Sequence, residues 1–219
     1  MKIFHVHTFR CHHAEPVPDE AYILKAAELG AEEIWFTDHA PFPGDPFGAR
    51  MSIDTLPEYL STLSDLKRKH PEIAVHIGLE TEYFPHFDNC GYYDHLRSLP
   101  ELEFLLLGQH MAQTGDSPPA YSFSESPEYL AKNEFRLLGN AIVQGAESGY
   151  FDAIAHPDRI FRRCVTHWNE DMAEVSQSII NAAVSAGIPL EMNLSSARVP
   201  AYYRREFWQL LPDNADTIM

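Results

Sequence analysis

The feature that most constrains this chain is a regular alternation. Six short apolar runs of strand length are separated by longer segments whose apolar residues recur at helical spacing. The runs cover residues 2–7, 33–37, 73–79, 104–107, 153–155 and 188–193. Helices are expected near 19–30, 56–66, 92–97, 126–149, 169–187 and 200–211, with Asp19, Ser126 and Asn169 as start signals and Gly30, Gly149 and Gly187 as stops. Continuous apolar strands with helices between them describe an α/β protein, its parallel sheet covered by helices. Six units suit an open doubly wound sheet or most of a barrel, and fall short of the eight of a full (β/α)8 barrel. Stretches 40–53 and 112–125, rich in Pro, Gly, Ser and Asp, read as surface loops. With no repeat and no low-complexity linker, residues 1–219 read as one domain.

Every run delivers a polar residue at its C-terminal end: His5 and His7, then Asp38-His39, Glu80, His110, His156, and finally Glu191 and Asn193. That end of the strands is where α/β proteins build their sites. A single histidine is more often a locally bonded core or surface residue, and His70, His76, His95 and His167 are read so; His86 is unassigned. Imidazoles and carboxylates converging on one face are another matter, because unpaired polar groups are costly to bury. Neutral imidazole with carboxylate suits zinc, manganese or iron. His5 and His7, two apart on a strand, are expected to share a face.

The charge narrows the partners. Lys plus Arg number 16 against 32 Asp plus Glu, a formal net charge of −16, and there are 12 histidines. Such a chain is unsuited to the phosphate backbone of nucleic acid and to anionic membrane surfaces, whereas it can bind cations. The segment after Met1-Lys2 lacks a signal peptide's apolar core, and no run approaches the ~20 apolar residues of a membrane span. Cys11, Cys90 and Cys164 form no disulfide framework, so a reduced, cytoplasmic protein is expected, with Cys11 packing as a small apolar residue. Arg50, Arg159 and Arg198 follow strand ends and are candidates to hold a phosphate through a bidentate fork.

Taken in order, these residues resemble the PHP (polymerase and histidinol phosphatase) superfamily, and within it the histidinol-phosphate phosphatase branch. The first motif of that family, His-x-His-Thr-x-x-Cys-x-His-Ala, reads here His5-Val6-His7-Thr8-Phe9-Arg10-Cys11-His12-His13-Ala14, which makes His13 its third histidine. Thr37-Asp38-His39, the Arg50-Met51 pair followed by Leu56-Pro57-Glu58-Tyr59, Gly78-Leu79-Glu80-Thr81-Glu82-Tyr83, His110, Ala155-His156-Pro157-Asp158 and Leu190-Glu191-Met192-Asn193 match later motifs in sequence order. The resemblance implies a distorted (β/α)7 barrel and two or three transition-metal ions (zinc, manganese or iron). It implies a first metal on His5, His7 and Glu80, a second on Glu80, His110 and His156, and a third helped by His13 and His39. It further implies hydrolysis of a phosphomonoester, L-histidinol phosphate, in histidine biosynthesis. The nucleophile would be a metal-bound hydroxide, with Asp38 and His39 supporting, Arg50, Arg159 and Arg198 on the phosphate, and Glu191 and Asn193 near the substrate amine.

One departure stands out. The family's seventh strand carries Gly-x-Asp-x-His, and no Asp-x-His follows His167 here. A missing seventh strand is therefore expected, by truncation or by native design. Three other readings compete. A metal-dependent amidohydrolase would want a lysine at a strand end, and Lys2, Lys25, Lys67, Lys69 and Lys132 all lie elsewhere. A PHP nuclease would want a basic groove. The third is a metal-binding domain without catalysis. Metal identity and oligomeric state are left open.

Overall fold

The computed structural model describes residues 1–116, 118–164 and 167–219. Its strands are β1 (Lys2–Val6), β2 (Glu33–His39), β3 (Ala74–Thr81), β4 (Phe104–Leu107), β5 (Gln113–Asp116), β6 (Pro119–Tyr121), β7 (Ala153–Ile154), β8 (Leu190–Glu191) and β9 (Thr217–Ile218). The helices are α1 (Asp19–Glu28), α2 (Leu56–Lys69), α3 (Pro85–Asn89), α4 (Tyr92–Arg97), α5 (Pro127–Ser148), α6 (Glu170–Ala186) and α7 (Arg205–Trp208). The described residues separate into two compact units, Met1–Thr81 with Leu96–Leu106, and Glu82–His95 with Leu107–Met219.

In the first unit the strand order is β1-β2-β3-β4. β2 lies parallel to both β1 and β3, in unbroken register with β3 from Glu33↔Ala74 to His39↔Glu80. Ile34, Phe36, Val75, Ile77, Leu79 and Leu105 are fully buried, as strands covered on both faces require. Leu56, Tyr59, Leu60 and Leu63 form the buried stripe of α2, and the Tyr59 hydroxyl donates to the Gly78 carbonyl at 2.8 Å. Gly78 is required here, since a Cβ would lie 2.3 Å from the Phe104 ring.

In the second unit the Ala155 N–H donates to the carbonyl of Leu107, the last residue of β4, at 2.9 Å. β7, β8 and β9 follow in that order, parallel. Ser126 caps α5 by accepting from the Tyr129 N–H, Asn169 caps α6 by accepting from the Met172 N–H, and Gly187 ends α6 in the left-handed region, as the sequence signals indicate.

Several expectations are corrected. The seventh strand is present: β9 pairs with β8, the Leu190 N–H donating to Asp216 and the Met192 N–H to Ile218. Two residues of polar-flanked strand leave too short a run to register as a strand. Stretch 112–125 holds the antiparallel β5–β6 hairpin and a 3-10 turn at Ser122–Ser124. Stretch 40–53 is irregular, yet it buries Phe42, Phe47, Arg50 and Met51. The final helix shrinks to α7, because Asp158 accepts the Arg204 N–H at 2.8 Å and the Trp208 indole N–H at 3.0 Å and so starts it late. Asp19 is the first residue of α1 rather than its cap, and its buried carboxylate faces Arg10.

Candidate metal centre

The first unit gathers its histidines where β1, β2 and β3 end. β1 does not run straight to that point. Its register with β2 shifts between Ile3 and Val6, and His5 has φ +64°, a left-handed conformation rare for a residue with a side chain. Such a bulge re-aims a side chain. It explains why His5 and His7 converge although strict alternation is lost: their Nε2 atoms are 3.1 Å apart. Glu80 Oε2 lies 3.1 Å from His5 Nε2 and 3.3 Å from His7 Nε2. It also lies 3.2 Å from His39 Nδ1. One carboxylate oxygen is thus shared by three imidazoles, and Glu80 is almost completely buried.

The donor set fits a metal ion. Ligand atoms held about 2.0–2.1 Å from a tetrahedral zinc lie roughly 3.3–3.4 Å from each other. The His5, His7 and Glu80 separations of 3.1, 3.1 and 3.3 Å fall close to that spacing. Burial pushes the His7 imidazole below its ordinary pKa despite the hydrogen bond and charge of Glu80, and the neighbouring His5 adds to the fall. A neutral imidazole is the form that binds metal. His7, His13 and His39 form a second group of candidate ligands. The His13 Nδ1–H donates to the Cys11 carbonyl at 2.9 Å, which leaves its Nε2 as the lone-pair nitrogen.

A short 3-10 turn, Phe9–Cys11, follows β1 and sets the layer behind these ligands. Thr8 donates its N–H to Asp38 Oδ1 at 2.5 Å and its hydroxyl to Asp38 Oδ2. Cys11 Sγ sits 3.1 Å from Asp38 Oδ1 and 3.5 Å from His7 Nδ1, and receives the His39 N–H at 3.1 Å. Cys11 therefore does more than pack. Burial, reinforced by the charge and hydrogen bond of Asp38, raises its thiol pKa and keeps it protonated.

In the second unit His110 and His156 lie edge to face with ring centroids 5.2 Å apart. His110 Nδ1 is 3.3 Å from the buried Glu82 carboxylate. The Arg162 guanidinium donates to the His110 carbonyl at 2.8 Å. His156 has φ +29° and donates its backbone N–H to Glu191 Oε2 at 3.2 Å. The Asn193 amide donates to Glu191 Oε1 at 3.3 Å, and its own oxygen accepts from Ser195 and from the Ser196 N–H. Arg159 lies over the Tyr202 ring, 4.6 Å from its centroid, and Arg198 is exposed at the end of a 3-10 turn. In the first unit Arg50 is buried against Phe42 and Phe47 and donates to the carbonyls of Ala40 and Gly48, bracing the loop after His39.

A model of the PHP domain matches residues 4–195. The chain belongs to the PHP-domain family. This PHP domain is 32% identical over 218 residues to the histidinol-phosphatase of Bacillus subtilis (strain 168), an alignment covering 89% of this chain and 80% of the relative. Its structure resembles the candidate histidinol phosphatase HisK of Listeria monocytogenes, with a TM-score of 0.75 at 19% identity, over 100% of this chain and 93% of the other. It also resembles HisK of Lactococcus lactis subsp. lactis Il1403, a structure complexed with zinc, L-histidinol and phosphate, with a TM-score of 0.70 at 19% identity over 99% and 85% of the two chains. These likenesses show the fold, the PHP-type distorted α/β barrel expected from the motifs.

Sequence reasoning missed Thr8, Arg10, Cys11, Glu82 and Arg162. Glu82 carried a signal, since Glu80-Thr81-Glu82 puts a second carboxylate at a strand end. Arg162 carried none, because its partner is a backbone carbonyl.

Proposed function

We propose that this PHP domain hydrolyses L-histidinol phosphate to L-histidinol and phosphate with the help of bound transition-metal ions. The observation that carries the reading is the triangle of His5, His7 and Glu80 at ligand-to-ligand spacing in a chain of this family. His13 and His39 add to the ligands of the first unit, His110 and His156 are ligands in the second, and we take residues 1–219 to act as one catalytic domain. Zinc, manganese and iron all suit nitrogen and carboxylate donors; the Lactococcus lactis relative, which contains zinc, favours zinc. When bound, the metal supplies positive charge for the phosphoryl oxygens and lowers the pKa of water towards neutrality.

The chain's own residues do the rest. Asp38, His39 and Glu80 fix the imidazoles at strand ends, so that little reorganisation accompanies the reaction. Arg159, stacked on Tyr202, and Arg198 hold the phosphate, and the buried Arg50 keeps the loop after His39 in place. Glu191 gives negative charge to the part of the site that takes the substrate amine, with Asn193 orienting its carboxylate. A net charge of −16 disfavours nucleic acid and selects a small substrate whose ammonium group offsets its phosphate. Among the described residues no helix is long and apolar enough to cross a membrane; we place the enzyme in the cytoplasm, where histidine biosynthesis would proceed.

The test is phosphate release by purified protein of measured zinc, manganese and iron content, supplied in turn with histidinol phosphate, p-nitrophenyl phosphate and single-stranded DNA. Histidinol phosphate is expected to be the best substrate by kcat/KM. Faster cleavage of DNA would move the chain to the nuclease reading.

A further inference from the structure

Arg10 is 4% exposed and lies behind the metal-facing histidines, in the 3-10 turn after β1. Its fork grips Glu58 of α2 with two hydrogen bonds of 2.9 Å, and Nη1 donates to Asp19 at 2.9 Å. Burial disfavours this cation, but the hydrogen bonds it donates to Glu58 and Asp19 outweigh it and raise the guanidinium pKa overall. The same Nη1 also donates to Thr8 Oγ1 at 3.1 Å. That last contact has no place in a simple structural ion pair.

Counting protons gives it one. A guanidinium can only donate. Thr8 Oγ1 must therefore accept from Arg10, and its single proton is turned to Asp38 Oδ2. Asp38 Oδ1 accepts from the Thr8 N–H and faces Cys11 Sγ at 3.1 Å. A carboxylate accepts only, so the one thiol proton points at Asp38. Sγ is then left as an acceptor towards His7 Nδ1 at 3.5 Å, as it already is towards the His39 N–H. His7 must carry its proton on Nδ1. Its Nε2, the atom beside His5 and Glu80, is left with the lone pair.

We propose that Arg10 is a positioning residue which, through Thr8, Asp38 and Cys11, fixes the tautomer of His7 that presents Nε2 to a metal. The inference rests on the metal-site reading above. No group in the chain changes charge, and each link is a donor facing an acceptor.

The test uses the full chain, labelled with 15N and freed of metal, at about pH 8, where imidazole is neutral. Long-range 1H–15N correlations report which ring nitrogen of His7 is protonated, the signals being assigned by their loss in His7→Gln. The native chain is expected to show His7 as the Nδ1–H form alone. Thr8→Val, which keeps shape and removes the hydroxyl, and Arg10→Met should each give a mixture, and Thr8→Ser should restore the native form. Zn²⁺ alone, in competition with a chromophoric chelator, supplies a second readout: a loss of roughly 10–100-fold in affinity for Thr8→Val and Arg10→Met, and native affinity for Thr8→Ser. If Arg10→Met does not fold, Arg10→Lys, which cannot span Glu58 and Thr8 together, takes its place with the same expectation. His7 protonated on Nε2 in the native chain, or an identical tautomer and zinc affinity in Thr8→Val and the native chain, overturns the inference. Native protein that binds zinc but releases no phosphate would refute the proposed activity, while the tautomer and zinc measurements would still decide the role of Arg10.

Discussion

The two units hold histidines at their strand ends in different ways. In the first, the ligand atoms of His5, His7 and Glu80 already stand at 3.1–3.3 Å from one another. Behind them lies a continuous chain of side-chain hydrogen bonds, from Glu58 through Arg10 and Thr8 to Asp38 and Cys11. In the second, the His110 and His156 rings meet edge to face, and their backbone is held by side chains: the Arg162 bond to the His110 carbonyl and the Glu191 bond to the His156 N–H. The first arrangement is specified by side chains and is sensitive to any change in donor or acceptor. The second adds bonds that hold the path of the chain at the two histidines. Both use a histidine with positive φ, His5 and His156, and strain of that kind persists only where the surroundings over-determine it.

Glu80→Gln should break the first arrangement outright. It keeps the shape but removes the charge that three imidazoles face. Zinc content should fall, and kcat/KM for histidinol phosphate should drop by roughly 10³-fold, about 4 kcal/mol of transition-state stabilisation. Metal analysis and a phosphate-release assay check this together. Native zinc content in the variant would show that the ligand triangle is misplaced.

The next effect concerns the frame. A methyl at Gly78 would meet the Phe104 ring at 2.3 Å in the first unit, and one at Gly139 would meet Val175 Cγ1 at 2.3 Å in the second. Phe104 is a buried ring in β4, whereas Val175 is a half-buried side chain of α6. Gly78→Ala should cost about 2–3 kcal/mol and Gly139→Ala about 1–2 kcal/mol, within the usual range for overpacking. Urea unfolding of both variants tests the ordering, and equal losses would mean that the two packings are equally stiff.

These contrasts also show how far the sequence could be read. The strand-end residues were legible because a strand that ends in His or Glu carries its chemistry in its own letters. The helix ends at Ser126, Asn169 and Gly187 were legible for the same reason, since capping is local. What escaped were relations between distant residues. Arg10 is an ordinary arginine until Glu58, 48 positions away, is folded against it. Cys11 looks like a packing residue until Asp38 and His39 reach it from β2. The bulge at His5 left no mark, because no residue type there announces a positive φ. β9 is too short to show periodicity and is defined only by the bonds that β8 offers it.

Arg162→Met probes the second unit by removing the donor to the His110 carbonyl. Zinc affinity should weaken about tenfold, the scale of losing a bond that orients a ligand. Arg163→Met is the matched control. Arg163 instead pairs with Glu134 at 3.2 Å, so its loss should leave zinc affinity unchanged. A similar effect in both would mean that general loosening of the 3-10 segment Pro157–Arg163 is responsible.

The smallest effect separates the units by pH. Hydrogen bonds from Arg10 hold the Glu58 carboxyl below the usual carboxylate range, against a smaller opposing effect of burial. A carboxyl whose pKa is depressed on folding stabilises the protein fully above its unfolded value, about 4.3, and loses that contribution as the pH falls through the folded value. The Glu58 side chain is 57% exposed, so solvent screens the pair and the contribution is at most about 1 kcal/mol. Glu58→Gln should therefore be less stable than the native chain at pH 7 by that amount, and the gap should close as the pH falls through the depressed folded-state value, below which Glu58 is protonated in the native chain too. Urea midpoints of the two proteins across that range measure it. A gap that stays constant down to the lowest pH would assign the loss to packing around Arg10, and the acid sensitivity of the first unit would then have to come from its other carboxylates.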